Sequence, residues 1–231
     1  MIHIKEQAQW VSDAAPDGVL PVKQRRGEQT RDRLLVAGKR LIARRDFDSV
    51  AVAEIAQAAG CSVGAFYQRF RDKDAFFGAL VAHYVSAARA TTLTLFEEHH
   101  DDRLIGALVL ATAVRFRNNT GLIRTAIRKR MDEAELWEPI RRHGYFVADT
   151  FIAWRGARRG RPLSAAEITA TRFAFQVLYG TLNNAIINRP GPFDLEDAAF
   201  VVQLERSFRL VLLGSGVAPV LEAADRITAA D

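Results

Sequence analysis

Between Pro21 and Lys73 the chain carries twelve Lys/Arg against six Asp/Glu, whereas residues 74–231 are nearly balanced at nineteen against eighteen. A basic stripe confined to so short a stretch suits a polyphosphate partner, because each cation laid against a phosphate releases a condensed counterion. The same stripe would also serve as a solvated face. Within it stands GCSVGAFYQR, Gly60–Arg69, a turn opening a short helix. The leading residues of that helix, Val63, Gly64 and Ala65, offer neither charge nor nucleophile. Glycine inside a helix costs roughly 1 kcal/mol against alanine, so its place here needs a reason. A second basic run, Arg115 to Arg161, holds twelve Lys/Arg against five Asp/Glu, with Arg128-Lys129-Arg130 and Arg158-Arg159-Gly160-Arg161. It reads as a solvated surface, a site for an anionic effector such as an acyl-coenzyme A, or a face for an acidic protein partner.

Catalytic chemistry has little to work with. The His99-His100 pair sits beside Asp101-Asp102 but has no partner one helical turn away, as a metal site would need. No nucleophile elbow or phosphate-binding loop occurs. No catalytic residue, metal or cofactor is therefore expected, and an all-helical enzyme is the weaker reading. Cys61 is the single cysteine; it excludes an internal disulfide and reads as a small turn residue rather than a redox sensor. With 231 residues, 49% hydrophobic, 26% charged and a net charge of +5, the composition is that of a soluble globular protein. The longest weakly polar stretches, 104–114 and 173–188, fall short of the ~20 apolar residues of a membrane span. The N-terminus lacks a basic region followed by an apolar run, so a cytoplasmic protein with no membrane partner is expected.

Helices must position these residues, since a period of 3.6 dominates and no convincing run alternates as a strand would. The first 22 residues mix Trp10, Pro16, Gly18 and Pro21 without a period and read as a mobile arm. From Glu28 to Arg45, Leu34, Leu35, Gly38, Leu41 and Ile42 share one face, and Asp46 reads as a left-handed residue closing that helix. A short helix fits 52–59, and Gly60 breaks it. Ser62 is a good N-cap for a third helix over 63–70, and Asp72 for a fourth running to about Phe96. Further helices are expected near 101–118, 121–131, 135–159, 165–188 and 195–214, with a weak one near 217–229. Turns fall at Gly121, Gly160–Pro162 and Arg189–Pro192, and Ser164 with Glu167 has capping-box spacing. The fold class is all-α: a three-helix unit over 23–74, then an antiparallel bundle over 75–231.

The three short helices have the spacing of a helix-turn-helix. Ala56 is small where the third helix crosses, Gly60 takes the sharp turn, and Phe66 fills the angle between the helices. The stretch from Thr30 to Tyr84 resembles the N-terminal domain of the TetR family of bacterial transcriptional regulators. The resemblance is carried by an amphipathic first helix, Ile55-Ala56, Ala59-Gly60, Ser62, Gly64, Tyr67, Phe70 and Lys73, and it covers roughly residues 28–85. It implies a third helix capped by Ser62 and lying in the major groove. Val63, Ala65 and Gln68 then become base readers, the glutamine for adenine and the small apolar pair for thymine methyls. Gly64 would let the backbone approach, and Tyr67 would reach a phosphate, although it could instead pack in the core. Lys73 would hold a phosphate at the start of the fourth helix, if it is not simply solvated. Arg25 and Arg26 are added on charge alone, as contacts to the neighbouring backbone or minor groove. Arg44 and Arg45 better suit the dipole at the end of the first helix. Two positions depart from the family: Ala51 stands where threonine usually caps the second helix, and Asp46 where glycine is frequent.

The resemblance further implies that the bundle dimerises and encloses an effector pocket. The dimerisation pair would be the last two long helices, through Phe173, Val177, Leu178, Ile186, Phe200, Leu204, Phe208 and Val211. Pocket candidates are Phe116, Trp137, Phe146, Trp154, Phe175 and Tyr179, with Arg115 or Asn183 as polar anchors; core packing is the competing role for each. The expected partners are a palindromic double-stranded operator, a second copy of the chain, and a small hydrophobic or anionic effector. The function expected is that of a ligand-responsive repressor. The alternative is an architectural or division-linked DNA-binding protein controlled by a protein partner.

Overall fold

Apolar residues recurring at helical spacing, with side chains placed to satisfy helix ends, build a chain of helices. The structure, a computed structural model, describes residues 17–20, 25–43, 45–130 and 134–214, with the backbone alone for Arg25, Arg26 and Ala134. The helices are α1 (Arg25–Ile42), α2 (Val52–Ala58), α3 (Val63–Tyr67), α4 (Lys73–Glu98), α5 (Arg103–Asn118), α6 (Thr120–Lys129), α7 (Ala134–Arg159), α8 (Ala165–Ile187) and α9 (Ala198–Leu213). One 3-10 turn, Phe47–Ser49, precedes α2. The fold is all-α; extended pairing among the described residues amounts to an isolated bridge between Val19 and Phe70. None of the described helices is long and apolar enough to cross a membrane.

Ser62 Oγ accepts the Ala65 N–H at 3.1 Å and Asp72 Oδ1 accepts that of Ala75 at 2.7 Å, so both expected caps form. The Asp72 carboxyl is held below its usual range by that N–H, with Arg71 assisting. Ser164 and Glu167 form the full capping box. At α2, where Ala51 lacks an acceptor, only the reciprocal half survives: Glu54 accepts the Ala51 N–H at 3.0 Å.

Several boundaries differ from the expectation. Residues 17–20 are pinned rather than mobile. The Leu20 N–H donates to the Arg69 carbonyl at 2.9 Å, and the Arg71 N–H to the Gly18 carbonyl at 3.0 Å. Asp46 is extended, with φ −69° and ψ 135°. Arg45 ties the turn to α2 through Glu54 at 2.9 Å and the Ser49 carbonyl at 3.1 Å, rather than serving the α1 dipole. Gly121 lies inside α6, not in a turn. Arg44, residues 1–16 and the weak helix at 217–229 lie outside the described residues.

The N-terminal unit closes on phenylalanines. Phe66, Phe70, Phe76, Phe47 and Phe77 are all fully buried, with Phe66–Phe76 at 5.1 Å, Phe70–Phe76 at 4.9 Å and Phe47–Phe77 at 4.8 Å between ring centroids. Because Phe76 and Phe77 belong to α4, the long helix is part of this core and extends into the bundle. A second attachment runs through α6. Its Gly121 N–H donates to the Ala43 carbonyl just beyond α1, at 3.3 Å. Orphan donors at one helix start thus meet orphan acceptors at another's end, and the dipoles align favourably. Around this seat Asp46 pairs with Arg124 and Arg128, Asp48 with Arg128, and Asp74 with Lys129.

Candidate nucleic-acid interface and bundle core

The exposed edge of α3 is built by what lies beneath it. Phe66 points inward and is fully buried, while Gly60, at φ +64°, makes the turn that a side chain would strain. Ile55 and Ala56 of α2 are buried below. This leaves Val63 42% and Tyr67 49% exposed, with Ser62, Gly64 and Gln68 also exposed and Ala65 half-buried. A methyl built on Gly64 would meet only Ser62 Oγ, at 3.7 Å. Nothing inside the protein therefore requires glycine there. Tyr67 keeps edge contact with Phe66, centroids 5.3 Å apart, so its ring is braced while its surface is open. Arg69 fastens the end of this unit to the start of α1, its Nε donating to the Gly27 carbonyl at 3.3 Å.

Lys73 is engaged within the protein. Its Nζ donates to the Asp48 carbonyl at 3.0 Å and lies 4.7 Å from the centre of the Phe47 ring. The start of α4 is occupied by the Asp72 carboxylate. A phosphate contact from Lys73 thus requires the side chain to swing away from that carbonyl. The side chains of Arg25 and Arg26 lie outside the description.

Many cations of the second basic run have partners within the protein. Arg124, Arg128 and Lys129 serve the α6 seat, Arg141 and Arg142 pair with Glu138, and Arg159 and Arg161 pair with Glu167. Arg155 donates to Thr171 at 2.6 Å, and Arg158 reaches the His100 carbonyl and Asp102. Most of these arginines remain exposed while paired, which fits the solvated-surface reading and weakens that of an anionic surface site.

The residues expected at a dimer interface divide by burial. Leu178, Ile186, Phe200, Leu204 and Phe208 are 7% exposed or less. They pack inside the protomer, because the apolar stripe of α9 must cover α8 and α5. Phe173 is exposed, and Val177 and Val211 are half-buried. The outward apolar residues of α8 and α9 are Phe173, from the expected set, and Ile187, Val202, Leu210 and Leu213, the last 77% exposed. A groove of about 210 Å³ lies between the two helices, lined by Val177, Thr181, Phe193, Phe200 and Ser207 among others.

The pocket candidates divide as well. Phe116, Tyr179 and Phe175 form a stacked series at 6.3 and 6.2 Å. Trp154 stacks on Phe151 instead, at 5.3 Å, and Phe146 lies beneath the Arg89 guanidinium at 3.9 Å. Trp137 and Trp154 are seventeen residues apart on α7, about 25 Å along a helix, and cannot line one small pocket. Near the stacked series lie buried polar atoms with no hydrogen-bond partner: Arg115 Nε, Tyr179 Oη, Asn183 Oδ1 and both nitrogens of His143. Burial, reinforced by Arg115 and Arg89, lowers the His143 pKa to about 3, and burial raises that of Tyr179 to about 12. Tyr84 is raised for the same reason, with Arg115 opposing. His143 escaped the sequence reading, although it recurs with Val147, Thr150 and Phe151 on the buried stripe of α7.

The neutral imidazole has a consequence for stability. Below its ordinary pKa of 6.5 the unfolded chain takes a proton that folded His143 refuses until about pH 3. Stability should therefore fall as pH drops through that window, at up to about 1.4 kcal/mol per unit. Denaturant titrations at pH 6.5 and 5.0 check this above the carboxylate range. His143→Leu should flatten the slope, and an equal slope in the variant would show that His143 is not buried neutral.

Residues 34–80 match the family model of bacterial regulatory proteins, tetR family. No curated protein matches the sequence. Among solved structures, a TetR-family transcriptional regulator from Streptomyces coelicolor superposes with a TM-score of 0.66 at 17% identity, over 91% of this chain and 90% of that one. A transcriptional regulator from Cytophaga hutchinsonii gives 0.61 at 14% identity, covering 80% and 95%. The regulator FadR from Bacillus subtilis, in complex with stearoyl-CoA, gives 0.59 at 17% identity, covering 79% and 98%. At these identities the likeness is one of fold.

Proposed function

The chain is a DNA-binding transcriptional regulator of the TetR family, and from that premise we propose that it acts as a homodimeric, ligand-responsive repressor. The observation that carries the DNA-reading assignment is the bare, exposed edge of α3 with open space over Gly64. In this reading Gly64 brings the helix backbone close to the major groove, and Val63, Ala65 and Gln68 meet base edges. Ser62 holds the helix start and Tyr67 reaches a phosphate. Lys73 exchanges the Asp48 carbonyl for a phosphate, and Arg25 and Arg26 contact the adjoining backbone.

One such unit reads few bases, so two copies on a near-palindromic site supply the missing affinity. The exposed residues Phe173, Val202, Leu210 and Leu213 favour α8 and α9 as the pairing surface. The α6 seat against α1 offers a route for control. An effector that shifts α6 would alter the separation of the two α3 helices and lower their joint fit to the operator.

Selection of bound DNA from a random pool at 100 mM and 200 mM salt tests this reading. Recovery of one palindrome with two half-sites is expected at both. Binding that is strongly salt-sensitive and indifferent to sequence would contradict it and leave the architectural alternative. On the selected operator, Tyr67→Phe and Lys73→Ala should each weaken binding about threefold to tenfold. Lys73→Ala should also reduce the salt slope by about one. Unchanged affinity and slope would remove those two assignments.

A further inference from the structure

The unpartnered polar atoms in the bundle share an electrostatic peculiarity. Arg115 is half-buried with its Nε sealed from solvent, and the bonds of its other nitrogens are long: 3.4 Å to the Ala88 carbonyl and 3.4 Å to Thr112 Oγ1. No described carboxylate pairs with it. Neither α5 nor α6 contains an acidic residue. Further along the bundle, Glu138 is held by Arg141 and Arg142, Asp149 by Arg172, Glu167 by Arg159 and Arg161, and Glu205 by Arg209. The surrounding groups cannot supply a negative charge: burial keeps Tyr84 and Tyr179 protonated and His143 neutral. Water would satisfy the tyrosine hydroxyl, the amide oxygen and the imidazole, but it would not neutralise a guanidinium. A guanidinium partly withdrawn from water with no carboxylate beside it is suited to receive an anion.

We propose that the effector of this regulator is a monocarboxylic acid on an apolar body, its carboxylate held by Arg115 with the Tyr179 hydroxyl as a second donor. The proposal rests on the ligand-responsive reading above and names the chemistry of the ligand. The second arginine near His143, Arg89, lies over the Phe146 ring, and Arg115 with one hydroxyl matches a singly charged, planar head better than a dianionic phosphate. The apolar body of such a molecule would lie against Phe116 and Phe175, whose rings each stack with that of Tyr179. Gly144 of α7 approaches that ring closely; a methyl there would lie 3.5 Å from Tyr179 Cε2. Asn183 Oδ1, also unpartnered, remains free to receive a hydroxyl or amide N–H carried by the ligand.

Calorimetry on the full-length protein without DNA is the test, using acids paired with their neutral amides: dodecanoate with dodecanamide, and 4-phenylbutyrate with 4-phenylbutyramide. In at least one pair the acid should bind at least tenfold more tightly than the amide. Arg115→Gln should abolish that preference while leaving amide affinity within about threefold. Tyr179→Phe, which keeps the ring packing, should reduce the preference without removing it and guards against a misfolded arginine variant. Equal binding of acid and amide, a preference that survives Arg115→Gln, or binding of none of the four would each overturn the proposal. Operator release is measured separately. Release by an amide as readily as by its acid would sink the carboxylate assignment and keep the ligand-responsive reading. Tight, Arg115-dependent acid binding that leaves operator affinity unchanged would do the reverse.

Discussion

Replacing Gly64 by leucine should leave the protein as stable as the wild type, or slightly more so, and lower operator affinity by a hundredfold or more. The two halves of this expectation have different origins. Within the protein the new side chain meets open space, the nearest atom to a Cβ being Ser62 Oγ at 3.7 Å. Removing a helical glycine contributes up to about 1 kcal/mol. Against DNA, the same side chain would hold α3 away from the groove floor and forfeit the contacts of Val63, Ala65 and Gln68 together. Each good base contact supplies about 1–3 kcal/mol, so losing two or three accounts for about a hundredfold. Gly64→Ala should fall between. Thermal unfolding and operator titration, run on the same preparations, separate the effects. A leucine variant that binds normally would mean that α3 does not approach the DNA by this edge.

Gly121→Ala should behave in the opposite way, damaging the protein first. A methyl at this position would stand 1.9 Å from the Ile42 carbonyl oxygen and 2.3 Å from that of Arg45. Both are backbone atoms, at the end of α1 and just beyond it, so neither can rotate aside. The start of α6 must lift off, stretching the Gly121–Ala43 hydrogen bond and the Asp46–Arg124 pair. Overpacking of this kind costs about 1–3 kcal/mol, or roughly 2–12 °C in Tm for a chain of this size. Because α1 braces α2 and α3, operator affinity should fall as well, although no altered side chain faces DNA. An unchanged Tm would show that α6 is not seated on α1 in this way.

Much of the fold was legible from capping and periodicity. Ser62, Asp72 and Ser164 act on neighbours three residues away, and local signals of that kind survive in sequence. What escaped was set by contacts distant along the chain. Asp46 is extended because it faces Arg124 and Arg128 across the α1–α6 seat, not because of anything beside it. Residues 17–20 pair with 69–71 through backbone groups that leave no side-chain pattern. In the second basic run, a count of charges does not reveal that Glu138 and Glu167 each serve two arginines. At the α3 edge the family resemblance proposed the residues, and what the structure adds is that Val63, Gly64, Tyr67 and Gln68 are exposed, with open space over Gly64. Among the bundle residues, periodicity marked apolar faces without distinguishing those that cover another helix from those that face outward.

The most direct test of the central claim is methylation interference on the selected operator, using dimethyl sulfate to modify guanine N7 in the major groove and adenine N3 in the minor groove. The account predicts interference at N7 positions in two symmetric half-sites with centres about 34 Å apart, one helical turn, and weak or no interference at N3 within them. Interference confined to adenine N3, or spread without symmetry along the fragment, would contradict reading of the major groove by paired α3 helices.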